Sequence, residues 1–249
     1  MGDFMKKGFY FAFDFKRLCV IIFSAVLIAS GIECVRYSTL STATANIKDG
    51  STVIIVDAGH GGADGGAQSS AGILEKDINL AVAKKVGNIL SLMGYRVVYT
   101  REKDSIDYPD ECATIKQKKV WDTHDRMSVI EKYPDGIFLS IHQNYFTESI
   151  YSGAQVFYSG NNAESEAIAK SIQKAIVSDI QPENERQVKQ SGTEIYLLYH
   201  AKIPAVMVEC GFLSNEKEAM LLSDNSYQTK MAISIVRGIT EYINGINEV

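Results

Sequence analysis

From residue 51 onward, the hydrophobic and polar positions of the chain alternate between two patterns. Short apolar runs typical of buried strands are separated by longer segments in which apolar residues recur at helical spacing. The short runs predict strands at Val53 to Val56, Arg96 to Thr100, Gly136 to His142, Ala154 to Tyr158, Thr193 to Leu198 and Ala205 to Glu209. The longer segments predict helices at Leu74 to Met93, Asp122 to Lys132, Glu164 to Val177 and Asn225 to Ile243.

The order of these elements predicts the fold class. Strands that alternate with helices indicate an α/β protein. We expect a single domain with a twisted, mainly parallel or mixed sheet of about six strands and helices on both faces. The polar segment from Glu102 to Lys119 is predicted to be a surface excursion.

The N-terminus differs in kind from the rest of the chain. Basic residues precede an apolar run from Leu18 to Ile32, which is the pattern of an export signal. We predict a signal peptide or membrane anchor helix over residues 1–36, a linker over 37–50 and the folded domain over 51–249. Cleavage after Ala43-Thr44-Ala45 and retention as an uncleaved anchor both remain open.

Charge narrows the choice of partners. The chain has 25 basic and 30 acidic residues, and five of the basic and three of the acidic ones lie in residues 1–36. The remainder therefore carries 20 basic against 27 acidic residues, a net charge of −7. Because a domain this acidic repels phosphate backbones, we expect no nucleic-acid partner.

Three predicted strands end on side chains that can perform chemistry. His60 follows the first strand in a glycine-rich turn, His142 ends the third, and Glu209 ends the last. A catalytic zinc site needs about three ligands from His, Asp or Glu and an open position for water. The third ligand could be Glu75, fifteen residues after His60, with Glu209 as the base, or the two glutamates could exchange these roles. Spacing does not distinguish the two arrangements.

Each of these residues also has a purely structural interpretation. A histidine at a strand end is often only hydrogen-bonded, and Glu75 could stabilise the start of a helix. Asp57 is interpreted as a cap for the turn, with an indirect role in supporting a ligand as the alternative.

Five ordered motifs give the chain a family resemblance. It resembles the zinc-dependent N-acetylmuramoyl-L-alanine amidases of type 3 over nearly all of residues 51–245. The motifs are Asp57-Ala58-Gly59-His60-Gly61-Gly62-Ala63-Asp64-Gly65-Gly66, Glu75-Lys76-Asp77-Ile78-Asn79-Leu80, Thr100-Arg101-Glu102-Lys103-Asp104, Ser140-Ile141-His142-Gln143-Asn144 and Val208-Glu209-Cys210-Gly211-Phe212-Leu213-Ser214-Asn215.

The resemblance implies both a reaction and residue roles. It makes His60, Glu75 and His142 the ligands of one zinc ion and Glu209 the catalytic base. The implied reaction is hydrolysis of the amide between the lactyl group of N-acetylmuramic acid and the L-alanine of the stem peptide in peptidoglycan. Domain 51–249 would then be the catalytic domain.

The chain departs from the family pattern without losing any of these four positions. Ala58 and Gly65 stand where the family usually has proline, and Tyr145 stands where it has alanine. Arg126 lacks the Ala-Asn that usually follows four positions later. These departures bear on the loop conformation, the groove and the affinity for zinc.

A finer resemblance is to the sporulation-type amidases, which prepare muramic δ-lactam in spore cortex. Together with the N-terminal pattern, this predicts export to the cell wall or forespore intermembrane space, by secretion or membrane anchoring. Because the ligands come from three separate segments, we also expect an accessory lipoprotein that promotes metal binding. Arg186 is predicted to bind the acidic stem peptide, and Asn144 a substrate carbonyl; the alternative interpretation makes both of them surface or turn residues.

Three rival functions remain open. A vegetative cell-separation amidase would perform the same chemistry elsewhere, and a zinc carboxypeptidase-like exopeptidase would use two histidines and a glutamate on a terminal residue. A wall-binding scaffold would keep the fold without turnover.

Overall fold

The computed structural model describes residues 52–246. The predicted signal or anchor segment and the linker lie outside the described residues. Among the described helices, none combines the length and the apolar character needed to cross a membrane.

A six-stranded mixed sheet forms the centre of the domain. Its strands are β1 (Val53–Ala58), β2 (Arg96–Tyr99), β3 (Ile137–Asn144), β4 (Gln155–Tyr158), β5 (Lys189–Gln190) and β6 (Ala205–Phe212). Their spatial order is β2-β1-β3-β6-β4-β5. Neighbouring strands are parallel except for β4 and β6, which are antiparallel. The predicted α/β class and mixed sheet are confirmed.

Six helices accompany the sheet in the described residues. They are α1 (Glu75–Leu92), α2 (Ile115–Glu131), α3 (Glu164–Asp179), α4 (Tyr196–His200), α5 (Glu216–Ser223) and α6 (Asn225–Ile246).

Side chains of β1 show why both faces of the sheet are covered. Ile54 and Val56 belong to a core cluster that includes residues of α1, α3, α5 and α6. Ile55 points to the opposite face, where it joins a second cluster with residues of α2 and α4. Because neighbouring side chains of a strand alternate, a strand that is apolar throughout must be buried on both faces.

One predicted strand is wrong. The segment Thr193 to Leu198 does not join the sheet, and Tyr196–His200 forms the short helix α4 instead. Its apolar side chains Leu197 and Leu198 are buried in the second cluster, and a short apolar run does not by itself distinguish helix from strand. The sixth strand is β5, which lies in the polar loop before it and has two exposed residues.

The predicted start of α2 is also wrong. The helix begins at Ile115, inside the segment predicted as a surface excursion. Thr114 caps it by accepting a hydrogen bond from the backbone N–H of Gln117, whose side chain accepts one from the backbone N–H of Thr114. This capping box stabilises a first turn that has little apolar periodicity.

Candidate metal centre

The loop after β1 is held by two buried arginines. Arg126 donates to the carbonyl oxygens of Ala58 and His60, each at 2.6 Å. Arg101 donates to Ala58 O at 2.8 Å and to Gly59 O at 3.1 Å. His60 itself has a left-handed backbone, with φ at 60°. These donors fix a conformation that a non-glycine residue rarely adopts.

Asp57, near the end of β1, holds Arg126 in place beneath the loop by pairing with its guanidinium. It is 1% exposed, and its carboxylate accepts hydrogen bonds from Arg126 at 2.6 Å and from the hydroxyls of Thr100 and Ser140. Burial acts to raise the pKa of Asp57, but Arg126, Ser140 and Thr100 together lower it. Asp57 is therefore an ionised structural anchor, and its partners are the arginine and two hydroxyls.

The structure brings His60, Glu75 and His142 together. His60 Nε2 lies 3.2 Å from Glu75 Oε2, and His142 Nδ1 lies 2.9 Å from Glu75 Oε1. One ligand atom from each residue lies within 4.8 Å of the other two, so this group could hold a metal ion. Glu75 is almost fully buried in the first turn of α1.

Two glycines leave the room that this group occupies. A Cβ atom at Gly59 would lie 2.1 Å from Nε2 of His142. A Cβ atom at Gly66 would lie 2.5 Å from Glu75 Oε2 and 2.8 Å from His60 Cδ2, and the φ of Gly66 is +67°. The glycine-rich loop is thus required by close approach as much as by backbone conformation.

Asp64 orients the ring of His60. Its Oδ2 lies 2.7 Å from His60 Nδ1, while its Oδ1 pairs with Lys119 at 2.8 Å. Nδ1 therefore donates to the carboxylate, which leaves Nε2 directed at Glu75. Burial opposes protonation of the ring, but Asp64 and Glu75 raise the pKa of His60 to about 9. A cation at Nε2 would replace the proton that these two carboxylates stabilise.

The donor set fits zinc. Two imidazole nitrogens and one carboxylate oxygen are a common ligand set of catalytic zinc, which keeps its remaining position open. A carboxylate bound to the other ring nitrogen of a ligand histidine, as Asp64 is to His60, is the usual support for such a site.

Glu209 lies beside this group without belonging to it. Glu209 lies on β6, where it is paired in register with His142 on the neighbouring parallel strand β3. Its Oε2 is buried and has no hydrogen-bond partner among the described residues. Burial, reinforced by Glu75 and opposed by His142 and His60, raises the pKa of Glu209 to about 7. The two glutamates thus occupy different environments.

The other two predicted site residues lie outside the histidine and glutamate group. The Asn144 carbonyl at the end of β3 accepts a hydrogen bond from Leu213 N–H at 2.8 Å. Arg186 donates from Nε to Ser152 O at 2.8 Å, and its guanidinium lies 4.5 Å from the ring centre of Phe212. Neither contact tests a role in substrate binding.

Sequence reasoning did not assign roles to several residues that build the site. Arg101 and Asp64 stand within the quoted motifs, but only their tertiary contacts show what they hold. Arg126 lies outside those motifs. Its spacing of four from Asp122 on α2, an ion pair at 2.8 Å, is the one local signal available.

Comparison with known proteins extends these observations. The family model described as N-acetylmuramoyl-L-alanine amidase matches residues 54–241. A germination-specific N-acetylmuramoyl-L-alanine amidase of Bacillus subtilis (strain 168) is 38% identical over 190 residues, which are 76% of this chain and 79% of that protein. The amidase LytC of the same organism is 29% identical over 191 residues, which are 76% of this chain but 35% of LytC.

Solved structures show the same relationship. The CwlD amidase of Clostridioides difficile, determined in complex with the GerS lipoprotein, is 41% identical, with a TM-score of 0.74. The similarity covers 78% of this chain and 98% of that one. The amidase AmiC2 of Nostoc punctiforme is 29% identical, with a TM-score of 0.66, over 78% of this chain and 97% of that one.

Proposed function

This chain belongs to the N-acetylmuramoyl-L-alanine amidase family, and we propose that it is a zinc enzyme in which His60, Glu75 and His142 bind the metal. The family and the named relatives support an amidase of peptidoglycan that cleaves between N-acetylmuramic acid and L-alanine. The observation that carries the metal assignment is the convergence of two imidazoles on the one Glu75 carboxylate.

The residues divide the chemistry between them. Zinc in this site would acidify a water molecule and polarise the amide carbonyl. Glu209 is the base: its Oε2 has no hydrogen-bond partner within residues 52–246, so it can take a proton from the attacking water and later deliver it to the departing nitrogen of L-alanine. The C–N bond breaks and a C–O bond forms; the second proton of the water passes from the new carboxyl group to the amine, which leaves a lactyl carboxylate and the ammonium group of L-alanine. Asp64 keeps the ring of His60 in place.

Arg186 and Asn144 are proposed to position the substrate. The guanidinium of Arg186 is fixed by Ser152 O and by stacking on Phe212, which ends the strand that carries Glu209. Such a held guanidinium suits the carboxylates of an acidic stem peptide. Asn144, two residues after His142 on β3, is proposed to hold a substrate carbonyl.

The biological setting is proposed to be maturation of spore cortex, where removal of the stem peptide precedes formation of muramic δ-lactam. The support is a germination-specific relative of 38% identity and the CwlD structure of 41% identity. The chain is also similar, at 29% identity, to LytC, an amidase whose name does not refer to germination. A vegetative cell-separation role is therefore the rival setting.

Location and partner are proposals of the same kind. The basic, then apolar sequence of residues 1–36 supports export and either membrane anchoring or secretion to the cell wall or forespore intermembrane space. The CwlD amidase was determined together with a lipoprotein, which supports an accessory lipoprotein as a partner here. Because the ligands come from three separate segments, we propose that such a partner promotes metal binding by binding the folded form.

Metal analysis combined with digestion of purified peptidoglycan tests the chemistry. We expect one zinc ion per chain, intact stem peptides and muramic acid that lacks peptide. Release of terminal amino acids alone would instead assign a carboxypeptidase-like exopeptidase. Wall binding without any product, by a protein that carries zinc, would assign a scaffold.

A further inference from the structure

The three segments that carry His60, Glu75 and His142 meet at one buried amide. Asn79 lies one helical turn after Glu75 on α1 and is 0% exposed. Its Nδ2 donates to Gly59 O at 3.0 Å and to Glu75 Oε1 at 3.2 Å.

The other end of the same amide reaches the third segment. Asn79 Oδ1 accepts a hydrogen bond from Gln143 Nε2 at 3.1 Å. Gly59 and Gln143 are the chain neighbours of His60 and His142, respectively. Asn79 therefore connects the loop after β1, the start of α1 and the end of β3 through the residue next to each histidine and through Glu75 itself.

Glu75 is fixed from several directions as a result. Its Oε1 accepts from Asn79 and from the backbone N–H of Gln143 at 3.1 Å, and it faces His142 Nδ1. Its Oε2 accepts from Ala67 N–H at 2.8 Å. Donors to a ligand carboxylate set the direction in which its free lone pairs point.

Stability alone does not account for this cluster. Gln143 is 3% exposed, and its Oε1 is one of two buried side-chain oxygens in the described residues that lack a hydrogen-bond partner. Burying an unpaired amide oxygen is unfavourable, so an apolar side chain would suit the fold better at this position. The hydrogen bond from Gln143 Nε2 to Asn79 Oδ1 explains why an amide stands at this position.

We propose that Asn79 is a positioning residue for the metal site. It acts through Gly59, Glu75 and Gln143 to hold the three ligand segments at the separation that zinc requires. This role rests on the proposed zinc site. Without Asn79, the ligands remain present but are no longer held together before the metal arrives, so part of the binding free energy is lost to ordering them.

Zinc affinity of the full-length chain, measured by competition with a chromogenic chelator, tests the proposal. We expect Asn79→Ala to weaken zinc binding by about 10- to 100-fold, the usual effect of removing such a support. Gln143→Met removes the bond to Asn79 and keeps the backbone donor to Glu75, so it should weaken binding by a smaller factor. The double variant should be less affected than the product of the two single effects, because both act through one contact.

Gln228→Met is the matched control. Gln228 is a buried helical amide that bonds to Leu222 O and Lys85, and Lys85 lies ten residues along α1 from Glu75. This variant should lower the melting temperature and leave zinc affinity unchanged.

Four outcomes decide the matter. Wild-type affinity in Asn79→Ala would overturn the positioning role while leaving the zinc enzyme intact. Simple multiplication of the two single effects in the double variant would overturn it as well. If Asn79→Ala does not fold, wild-type affinity in Gln143→Met would overturn it. A wild-type chain that binds no zinc would overturn the metal assignment and this proposal together.

Discussion

Glu209 lies opposite His142 on adjacent parallel strands, with its Oε2 buried and without a hydrogen-bond partner among the described residues. Side chains at paired positions of parallel strands point to the same face, about 4.8 Å apart along the sheet. The carboxylate therefore faces the metal group from beside it, while Glu75 lies between the two histidines.

Glu209→Gln should abolish turnover without loss of zinc. The amide has nearly the same shape but takes up no proton, so we expect the rate of stem-peptide release to fall by about 10²- to 10⁴-fold. Mass spectrometry of digested muropeptides measures the rate, and metal analysis measures the zinc. Unchanged muropeptide products would show that Glu209 is not the base.

Asp64→Asn should weaken zinc binding. The substituted amide can present its own N–H to Nδ1 of His60 and thereby favour the wrong tautomer, so affinity should fall by about 10- to 100-fold. Chelator competition measures the change, and excess zinc should restore activity. Asp179→Asn is the control, because Asp179 ends α3 and bonds to its neighbour Ser178 and to Arg237 on α6 rather than to a residue of the site. Equal zinc affinity in both variants would contradict the orienting role.

Gly66→Ala should disturb the site more than Gly72→Ala. Both glycines have positive φ, but a Cβ at Gly66 would collide with Glu75 and His60, whereas the nearest atom to a Cβ at Gly72 is 3.8 Å away. The backbone strain is therefore similar in the two variants, of order 1 kcal/mol, and only Gly66→Ala should also lower zinc affinity. Denaturant unfolding and chelator competition, measured on both, separate the two effects. A loss of affinity in both variants would assign it to strain alone.

The contribution of Asp57 to stability should depend on pH. Because the pKa of Asp57 is lowered in the folded state, its ionised form stabilises the fold above the pKa of the unfolded chain. That stabilisation is lost as pH falls from about 4, the unfolded value, through the folded value. At pH 7, Asp57→Asn should lower the free energy of unfolding by about 3 kcal/mol, since it leaves Arg126 buried without its partner.

Urea unfolding at pH 7 and pH 3 measures this dependence. The difference between wild type and Asp57→Asn should shrink at the lower pH, because below about pH 4 Asp57 takes up a proton in the unfolded wild-type chain while it stays ionised longer in the folded one. A difference that stays constant with pH would mean that Asp57 is not an ionised partner of Arg126.

Arg186→Met should weaken substrate binding selectively. Methionine keeps much of the apolar contact with Phe212 and removes the cation, so we expect KM for a stem peptide with free carboxylates to rise by roughly tenfold, the equivalent of one charge-assisted hydrogen bond. kcat and zinc content should stay near their wild-type values. A substrate whose carboxylates are amidated provides the control, since it should not distinguish the two enzymes. An equal rise in KM for both substrates would show that Arg186 acts through packing.

Local periodicity was sufficient to predict most of the sheet and the long helices. The runs that became β1, β3 and β6 each begin with at least three consecutive apolar residues, and α1 and α6 repeat their apolar residues over several turns. Motif order was likewise sufficient for the family, which the comparisons confirm. These features depend on residues that are close together in the sequence, so the sequence alone predicts them.

Two elements depended on tertiary contacts. The segment predicted as a strand from Thr193 to Leu198 contributes to helix α4 instead, and the two-residue strand β5 forms before it. A short apolar run satisfies either element, and the second core cluster determined the result by burying Leu197 and Leu198. β5 has no apolar pattern of its own and forms because β4 offers it a free edge.

The arrangement of the site was likewise beyond local pattern. Spacing left the roles of Glu75 and Glu209 interchangeable, and the family resemblance assigned them. The pairing of β3 with β6 and the return of α1 to the loop determine only their positions, with Glu75 between the two histidines and Glu209 beside them. Arg126 reaches His60 across 66 positions of the sequence, and Asn79 reaches Gln143 across 64. Hydrogen bonds between such distant residues leave no periodic trace, because the chain must fold before their partners are neighbours.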